Sequence, residues 1–401
     1  MKILQINNFL EKFGGSETVY LNTIELLKQN GNDVFSLSLL PQNDIDSNLS
    51  NYFVNKKNLL HNKLYSIAAQ KKIEHLIKIE KPEIAHIHNI FGGITFSIIS
   101  SLIKYHIPIV ITIHDFRLLC PVFIFYNRQN RICEKCNGGK YYHCLIDNCS
   151  PFGIVRSTIV TFESYFRQWF IPFEERIDSF IFVSNFTMNK FFEKYSSLKN
   201  KSYQLYNFTF NFNFEKNKTA EKYFLFVGRL SREKGLLTLI NAFKELPNSR
   251  LLIVGEGPIK KDIFLELPPN VELLGFKKGE ELLLLIKNAY FVLVTSECYE
   301  NNPMGIVESF AIGTPVIGSN IGGIPEIIQD GITGFLFEPG NVSSLVHTLT
   351  NTLKINIEEY SIISKEAFNF AKKHFNPSTH YNKLIDIYNK TLLNKKYNAP
   401  I

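Results

Sequence analysis

Nothing in this sequence stays apolar for long enough to cross a bilayer. A spanning helix needs about 20 apolar residues, and the longest candidate, residues 282–294, is broken by Lys287 and Asn288. Residues 1–13 lack the apolar centre of a secretory signal, so the expectation is a soluble cytoplasmic protein. Low-complexity and collagen-like stretches are missing, which removes the disordered and fibrous classes. No Gly-x-Gly-x-x-Gly follows a strand, as a dinucleotide oxidoreductase requires. Nucleic-acid-binding motifs are missing too. Tryptophan occurs once but phenylalanine 35 times, so aromatic content alone decides little.

What is present is an ordinary globular composition, 45% hydrophobic over 401 residues, long enough for two domains. Of the net charge of +7, residues 1–214 carry +6 and the remainder +1. A basic surplus of this size fits anionic substrates or an anionic membrane surface better than nucleic acid.

Short β-rich runs alternate with helix-length amphipathic segments, the rhythm of parallel α/β structure. Strands are expected at 2–6, 34–39, 84–88, 109–113 and 180–183, with a helix over 16–30 stopped by Gly31. The polar stretch 207–222 reads as a linker. After it the rhythm restarts, with strands at 223–227, 251–254, 271–274, 291–294 and 315–317. The expectation is two doubly wound Rossmann-like domains, 1–206 and 223–375, followed by a helical segment 376–401. A Cys-rich insertion at about 119–151 interrupts the first.

In open parallel sheets ligands bind beyond the carboxyl ends of the strands. That rule gathers Gly14-Gly15 after the first strand, His114-Asp115 after 109–113, Gly228-Arg229 with Lys234 after 223–227, and Glu300 and Glu308 after 291–294. Pro303 suits a first helical position, where its missing N–H is harmless. The amides of Met304, Gly305 and Ile306 would then form a positive helix terminus suited to phosphate. Glu308, one turn in, suits ribose hydroxyls, and Glu300 suits a sugar. Arg229 and Lys234 would stabilise a diphosphate leaving group, the work a metal does elsewhere. Read singly, each piece is unremarkable: Arg229 and Lys234 as surface charge, Gly14-Gly15 as a tight turn, His114 as a core histidine. Their order and strand-end placement give them weight.

The same series resembles glycosyltransferase family four, the retaining nucleotide-sugar-dependent enzymes of the GT-B fold. The matching pieces are Gly14-Gly15, His114-Asp115, Gly228-Arg229-Leu230-x3-Lys234-Gly235 and Glu300-x7-Glu308. Val254-Gly255-Glu256-Gly257-Pro258, Gly313-Thr314-Pro315 and Asp330-Gly331-x2-Gly334 match as well. The resemblance implies two domains facing across a cleft, with residues 376–401 crossing back to the first. It implies that Arg229 and Lys234 grip the diphosphate, Glu308 the ribose and Glu300 the donor sugar, with His114 near the transferred sugar and acceptor. It further implies transfer to a glycan or lipid-linked acceptor in lipopolysaccharide, capsule or exopolysaccharide synthesis, with no cofactor required for catalysis. The chain departs from the frequent Glu-x-Phe-Gly of the family at Glu300–Gly305. A nucleotide-sugar 2-epimerase and a non-catalytic nucleotide-sugar binder are the alternatives.

Three further features stand outside that series. Cys133, Cys136, Cys144 and Cys149 have spacings that fit a structural zinc, or simply reduced thiols, with Cys120 as a substitute ligand. Phe162, Tyr165, Phe166, Trp169, Phe170 and Phe173 recur at helical spacing, which suits core packing or docking on a membrane interface. Asp44-Ile45-Asp46 mimics a metal-binding acidic motif but sits in a polar stretch and reads as solvated.

Overall fold

The computed structural model describes residues 1–10, 14–40, 50–54, 64–214, 223–264 and 267–397. Asp44-Ile45-Asp46 and residues 215–222 of the expected linker lie outside them. The chain divides into two compact units: Met1–Phe123, Lys135–Tyr206 and Pro377–Ile401 form the first, Ile124–Glu134 and Asn207–Asn376 the second.

The first unit is built on a seven-stranded sheet: β1 (Lys2–Ile6), β2 (Asp33–Leu39), β3 (Ser50–Val54), β4 (Ile84–Ile87), β5 (Ile109–Ile113), β6 (Ser179–Phe182) and β7 (Ser202–Gln204). All neighbours pair in parallel, in the order β3-β2-β1-β4-β5-β6-β7. Beyond Lys2, strands β1, β4 and β5 are buried on both faces and mostly apolar, as helix-covered parallel sheets demand. The helix Pro377–Tyr397 sends Leu384, Ile387 and Tyr388 into the cluster formed by Ile3, Tyr20, Ile84 and Val110. Thr391 hydrogen bonds to Ser179 at 2.7 Å, and Lys395 pairs with Asp178 at 2.9 Å.

The second unit carries β8 (Tyr223–Val227), β9 (Arg250–Val254), β10 (Val271–Gly275), β11 (Phe291–Val294), β12 (Val316–Ser319) and β13 (Gly334–Phe337). Its order is β10-β9-β8-β11-β12-β13, again wholly parallel. Phe224, Leu236, Leu239, Phe243, Leu251 and Phe291 are fully buried at its centre. In each sheet the chain reverses direction of travel once, between β1 and β4 and between β8 and β11. Such switch points open a crevice at the strand ends.

Two segments differ from the sequence expectation. Residues 124–134, expected inside the insertion of the first domain, group with the second unit. They form a small hairpin closed by the Tyr126–Ile132 bridge, and three contacts tie it there. Tyr126 donates to Glu297 at 3.3 Å, Tyr299 donates to Glu134 at 2.6 Å, and the Phe125 and Tyr299 rings meet edge to face. The second is the aromatic stripe, which divides between the two expectations: Phe173, beyond the helix Ile154–Phe170, is core, Tyr165 and Phe166 are half-buried, and the rest face outward. Ser157, Thr161, Ser164 and Arg167 face inward, while Phe162, Trp169 and Phe170 are exposed. Small residues at i, i+4 and i+7 permit close packing on that side. Arg167 satisfies its buried charge with Glu163 at 2.6 Å and the Arg117 carbonyl at 3.0 Å.

Candidate active site

In the second unit the strand-end loops are clamped before any side-chain chemistry begins. Gly228 donates to the Val254 carbonyl, Leu230 to Glu256 and Ile259 to Leu230, which stitches the loop after β8 to the loop after β9. A Cβ at Gly255 would overlap the Gly228 carbonyl, and one at Gly257 the Leu230 backbone, so the glycines are steric necessities here. Gly235 turns the chain at φ 68°, where a side chain would strike the Thr295 carbonyl. Thr295 donates to the Lys234 carbonyl at 2.8 Å, and Ser319 to the Ser296 carbonyl at 2.6 Å. Gly323 donates to the Glu300 carbonyl at 2.7 Å, and Asn207 donates twice to Asn302, from its backbone N–H to the side-chain oxygen at 2.7 Å and from its side-chain amide to the carbonyl at 2.9 Å.

Within that frame Lys234 and Glu300 form an ion pair, and Ser296 donates to the same Glu300 oxygen at 2.5 Å. Burial works to raise the Glu300 pKa, but Lys234 and the Ser296 hydroxyl outweigh it and hold the carboxyl below its usual range. For Lys234, burial opposes the charge and Glu300 restores it, so its pKa lies above the ordinary value. A charge-assisted pair held this way stays ionised on both sides. Arg229 is exposed at the end of β8. Beyond Glu300, Pro303 is the cap of the helix Met304–Ala311 rather than its first residue. Its carbonyl accepts from Ile306 at 3.0 Å. The expected three-amide terminus therefore narrows to Met304 and Gly305, whose N–H groups precede any intrahelical acceptor. Glu308 follows half-buried, one turn in.

In the first unit Gly14 caps the helix Gly15–Gln29 at φ −165°, an extended conformation any residue adopts, so it is not a tight turn. Its missing side chain leaves room beside the Glu17 carboxylate. His114 stands at the carboxyl end of β5, half-buried, with Nε2 2.9 Å from His88 Nδ1. Burial lowers its pKa to about 4, so at neutral pH it is an uncharged imidazole. Asp115 accepts from the Arg117 amide at 2.9 Å. Burial pushes its carboxyl up against the opposing pull of Arg117 and Arg167. The structure thus brings Lys234 and Glu300 together at one switch point. Gly14, Gly15 and His114 lie at strand ends of the other unit.

Sequence reasoning missed Ser296, Gln5, His86, His88 and Tyr388. The pattern His86-x-His88 was a usable signal, since residues two apart on a strand share a face. None of the cysteines expected as zinc ligands is in a disulfide. Cys133 belongs to the second unit and Cys136, Cys144 and Cys149 to the first. Among the described residues no three His, Cys, Asp or Glu side chains gather to hold a metal ion. The close pair is Cys144 and Cys149, whose mutual hydrogen bond raises the first thiol's pKa and lowers the second's. Cys298, near Glu300, is buried, and burial pushes its thiol up.

Comparison with known proteins places two family models end to end on the chain. Residues 13–208 match "Glycosyltransferase Family 4", and residues 207–370 match "Glycosyl transferases group 1". The sulfoquinovosyl transferase of Arabidopsis thaliana is 35% identical over 154 residues, 37% of this chain and 29% of that protein. An Escherichia coli UDP-Gal:alpha-D-GlcNAc-diphosphoundecaprenol alpha-1,3-galactosyltransferase is 28% identical over 184 residues, 43% of this chain and 46% of that one. The matches span 29% to 55% of the length of the first curated relatives. Among solved structures, Anabaena HepE in complex with UDP aligns with a TM-score of 0.70 at 16% identity, covering 97% of this chain and 100% of that one. The likeness identifies the two-unit α/β architecture as GT-B.

Proposed function

The chain belongs to the glycosyltransferases of family four, and we propose that it moves a sugar from a nucleotide-sugar donor to a hydroxyl of a glycan or lipid-linked acceptor, with retention at the anomeric carbon, in cell-surface polysaccharide synthesis. The observation that carries this reading is the Lys234–Glu300–Ser296 cluster, set on the loop that leads into the helix Met304–Ala311. Lys234, Arg229 and the two leading amides offer positive charge to a departing diphosphate without a metal, Glu300 offers an acceptor to the sugar, and Glu308 one to the ribose. Front-face substitution fits the site, with the leaving phosphate oxygen taking the proton of the incoming hydroxyl. Glu300 is already committed to Lys234 and Ser296, which suits it to binding rather than to the nucleophile role of paired-carboxylate glycosidases. His114 serves as the neutral group beside the transferred sugar. A UDP-sugar is the first donor to try, by analogy with the UDP-bound Anabaena protein.

A panel of UDP-, GDP-, ADP- and TDP-sugars tests this reading. One nucleotide class is expected to bind and to release nucleoside diphosphate slowly and without sensitivity to EDTA. Glu308→Ala is expected to weaken that binding by about tenfold to a hundredfold, the worth of a hydrogen bond to a charged group. Recovery of a 2-epimer of the donor would point to an isomerase, and binding without turnover to a sensor. If no nucleotide sugar binds, the assignment fails.

The outward aromatic face of Ile154–Phe170 supports the lipid-linked class of acceptor. Trp169 is 66% exposed and Phe152 80%, and Val155, Phe162 and Phe170 are exposed beside them. With the basic surplus of residues 1–214, this face suits the interface of an anionic membrane. No helix among the described residues is long and apolar enough to cross a membrane. Trp169→Ser with Phe170→Ser is expected to reduce cosedimentation with phosphatidylglycerol vesicles at least tenfold, since each buried aromatic contributes about 1.5–3 kcal/mol. Unchanged cosedimentation would remove the membrane from the reading.

A further inference from the structure

Behind His114 runs a line of buried hydrogen bonds, all within the first unit. His114 Nε2 lies 2.9 Å from His88 Nδ1, and His88 Nε2 lies 3.2 Å from the Gln5 side-chain oxygen. Gln5 Nε2 donates to the Tyr388 hydroxyl at 3.1 Å. That hydroxyl lies 2.7 Å from His86 Nδ1, and His86 Nε2 lies 2.7 Å from Thr112 Oγ1. Gln5 and Tyr388 are completely buried, and His86, His88 and Thr112 nearly so. Parallel pairing puts Gln5 of β1 beside His86 of β4, while Tyr388 arrives from the helix Pro377–Tyr397.

With the Gln5 amide oriented so that its oxygen faces His88 and its nitrogen Tyr388, the direction of each bond follows from what each atom can do. The Gln5 oxygen only accepts, so His88 donates through Nε2. Burial, together with the neighbouring imidazoles, lowers the His88 pKa well below its ordinary value, so this ring holds a single proton and its Nδ1 must accept. His114 therefore donates through Nε2, and as a neutral ring it bears a lone pair on Nδ1. On the far side the Gln5 amide N–H occupies an acceptor position of the Tyr388 oxygen. Tyr388 then donates to His86, and His86 to Thr112. Every bond donates inward from the strand end, and reversing the Gln5 amide would reverse all of them.

We infer that Gln5, His88 and Tyr388 are positioning residues that hold His114 in one tautomer, with its proton on Nε2 and its Nδ1 an obligate acceptor for a hydroxyl. The use of that acceptor in sugar transfer rests on the function proposed above; the tautomer does not. A hydroxyl of the donor sugar or the acceptor is the chemical class such a nitrogen recognises, and a carbonyl or carboxylate is the class it refuses. The C-terminal helix is thereby part of what prepares His114, through a single phenolic oxygen.

Histidine-selective 15N NMR of the full-length protein at pH 7 tests this directly, because protonated and bare ring nitrogens have widely separated shifts. His114, assigned by loss of its signals in His114→Gln, is expected to show Nε2–H alone in the wild type. Gln5→Leu is expected to give a mixture of both tautomers. It should also lower kcat about tenfold to a hundredfold with the donor KM unchanged, the scale of misplacing one group. Tyr388→Phe is expected to do the same to a smaller degree. An Nδ1–H signal for wild-type His114 overturns the inference, whether or not the variants fold. So does an unchanged Nε2–H signal in folded Gln5→Leu. Failure of the wild type to transfer sugar, with the tautomer as expected, would count against the function and leave the inference standing.

Discussion

Between pH 6 and pH 4 the first unit is expected to unfold before the second. His86 and His380 are buried, and burial lowers both pKa values to about 3. His88 is lowered well below its ordinary value by the same burial. Each of these rings is neutral in the folded state and takes up a proton near pH 6.5 once unfolded. The stabilisation is therefore complete above pH 6.5 and is lost as the pH falls towards 3. At pH 5, about 1.5 units below the unfolded pKa, His86 and His380 have each given up about 2 kcal/mol. Together that is about 4 kcal/mol, set against a typical total of about 5–15 kcal/mol. His86, His88, His114 and His380, each lowered by burial, all belong to the first unit. Hydrogen-exchange pulses at one fixed pH, applied after incubation at graded pH, would read the order. Protection in Lys2–Ile6, Ile84–Ile87 and Ile109–Ile113 is expected to fall before that in Tyr223–Val227 and Phe291–Val294. Simultaneous loss, or the reverse order, would refute the histidine argument.

Replacing Lys234 by methionine is expected to cut turnover by about a hundredfold to a thousandfold, the effect of losing one preorganised charge at a leaving group. The same change strands Glu300, which Lys234 now holds ionised. Burial then pushes the carboxyl up, so some loss of stability accompanies the loss of rate. The two effects separate in the double variant Lys234→Met with Glu300→Gln. Removing both charges abolishes the stranded carboxylate, so stability is expected to recover while rate is not, because paired residues are not additive. Thermal melts and single-turnover transfer on the wild type and both variants would decide. A double variant that regained both would make Lys234 a structural partner of Glu300 and nothing more.

How far the sequence foretold this arrangement depended on what each residue answers to. Gly228, Gly255, Gly257 and Glu300 were legible because strand-end loops impose local demands on backbone space and charge, and those demands leave short signatures. The strands Ser50–Val54, Ser202–Gln204 and Gly334–Phe337 were not, since three to five residues at or near a sheet margin carry no periodic pattern. Gln5 and Tyr388 were invisible for a different reason. Their bond spans 383 residues of chain and exists only because β1 pairs with β4 and the last helix covers them. The aromatic helix shows a further limit: periodicity separates two faces but does not say which one is buried. There the small face of Ser157, Thr161 and Ser164 won, because it allows a close approach and leaves Arg167 its partners.

The division of the chain has a consequence for how the protein comes to be made. The second unit contains the hairpin 124–134, synthesised well before the rest of that unit, and the first unit needs the final helix Pro377–Tyr397. Domains usually fold as separate units, the amino-terminal one first, while the chain is still emerging. Neither unit here has all its parts on that schedule. On the ribosome Gln5, His86 and His88 must wait for Tyr388, so a buried polar cluster stays open until the helix Pro377–Tyr397 has emerged. Glu297 and Tyr299 meet their hairpin across more than a hundred and fifty residues already made. A transcript that stops before the last helix would leave the second unit whole and the first without its cover.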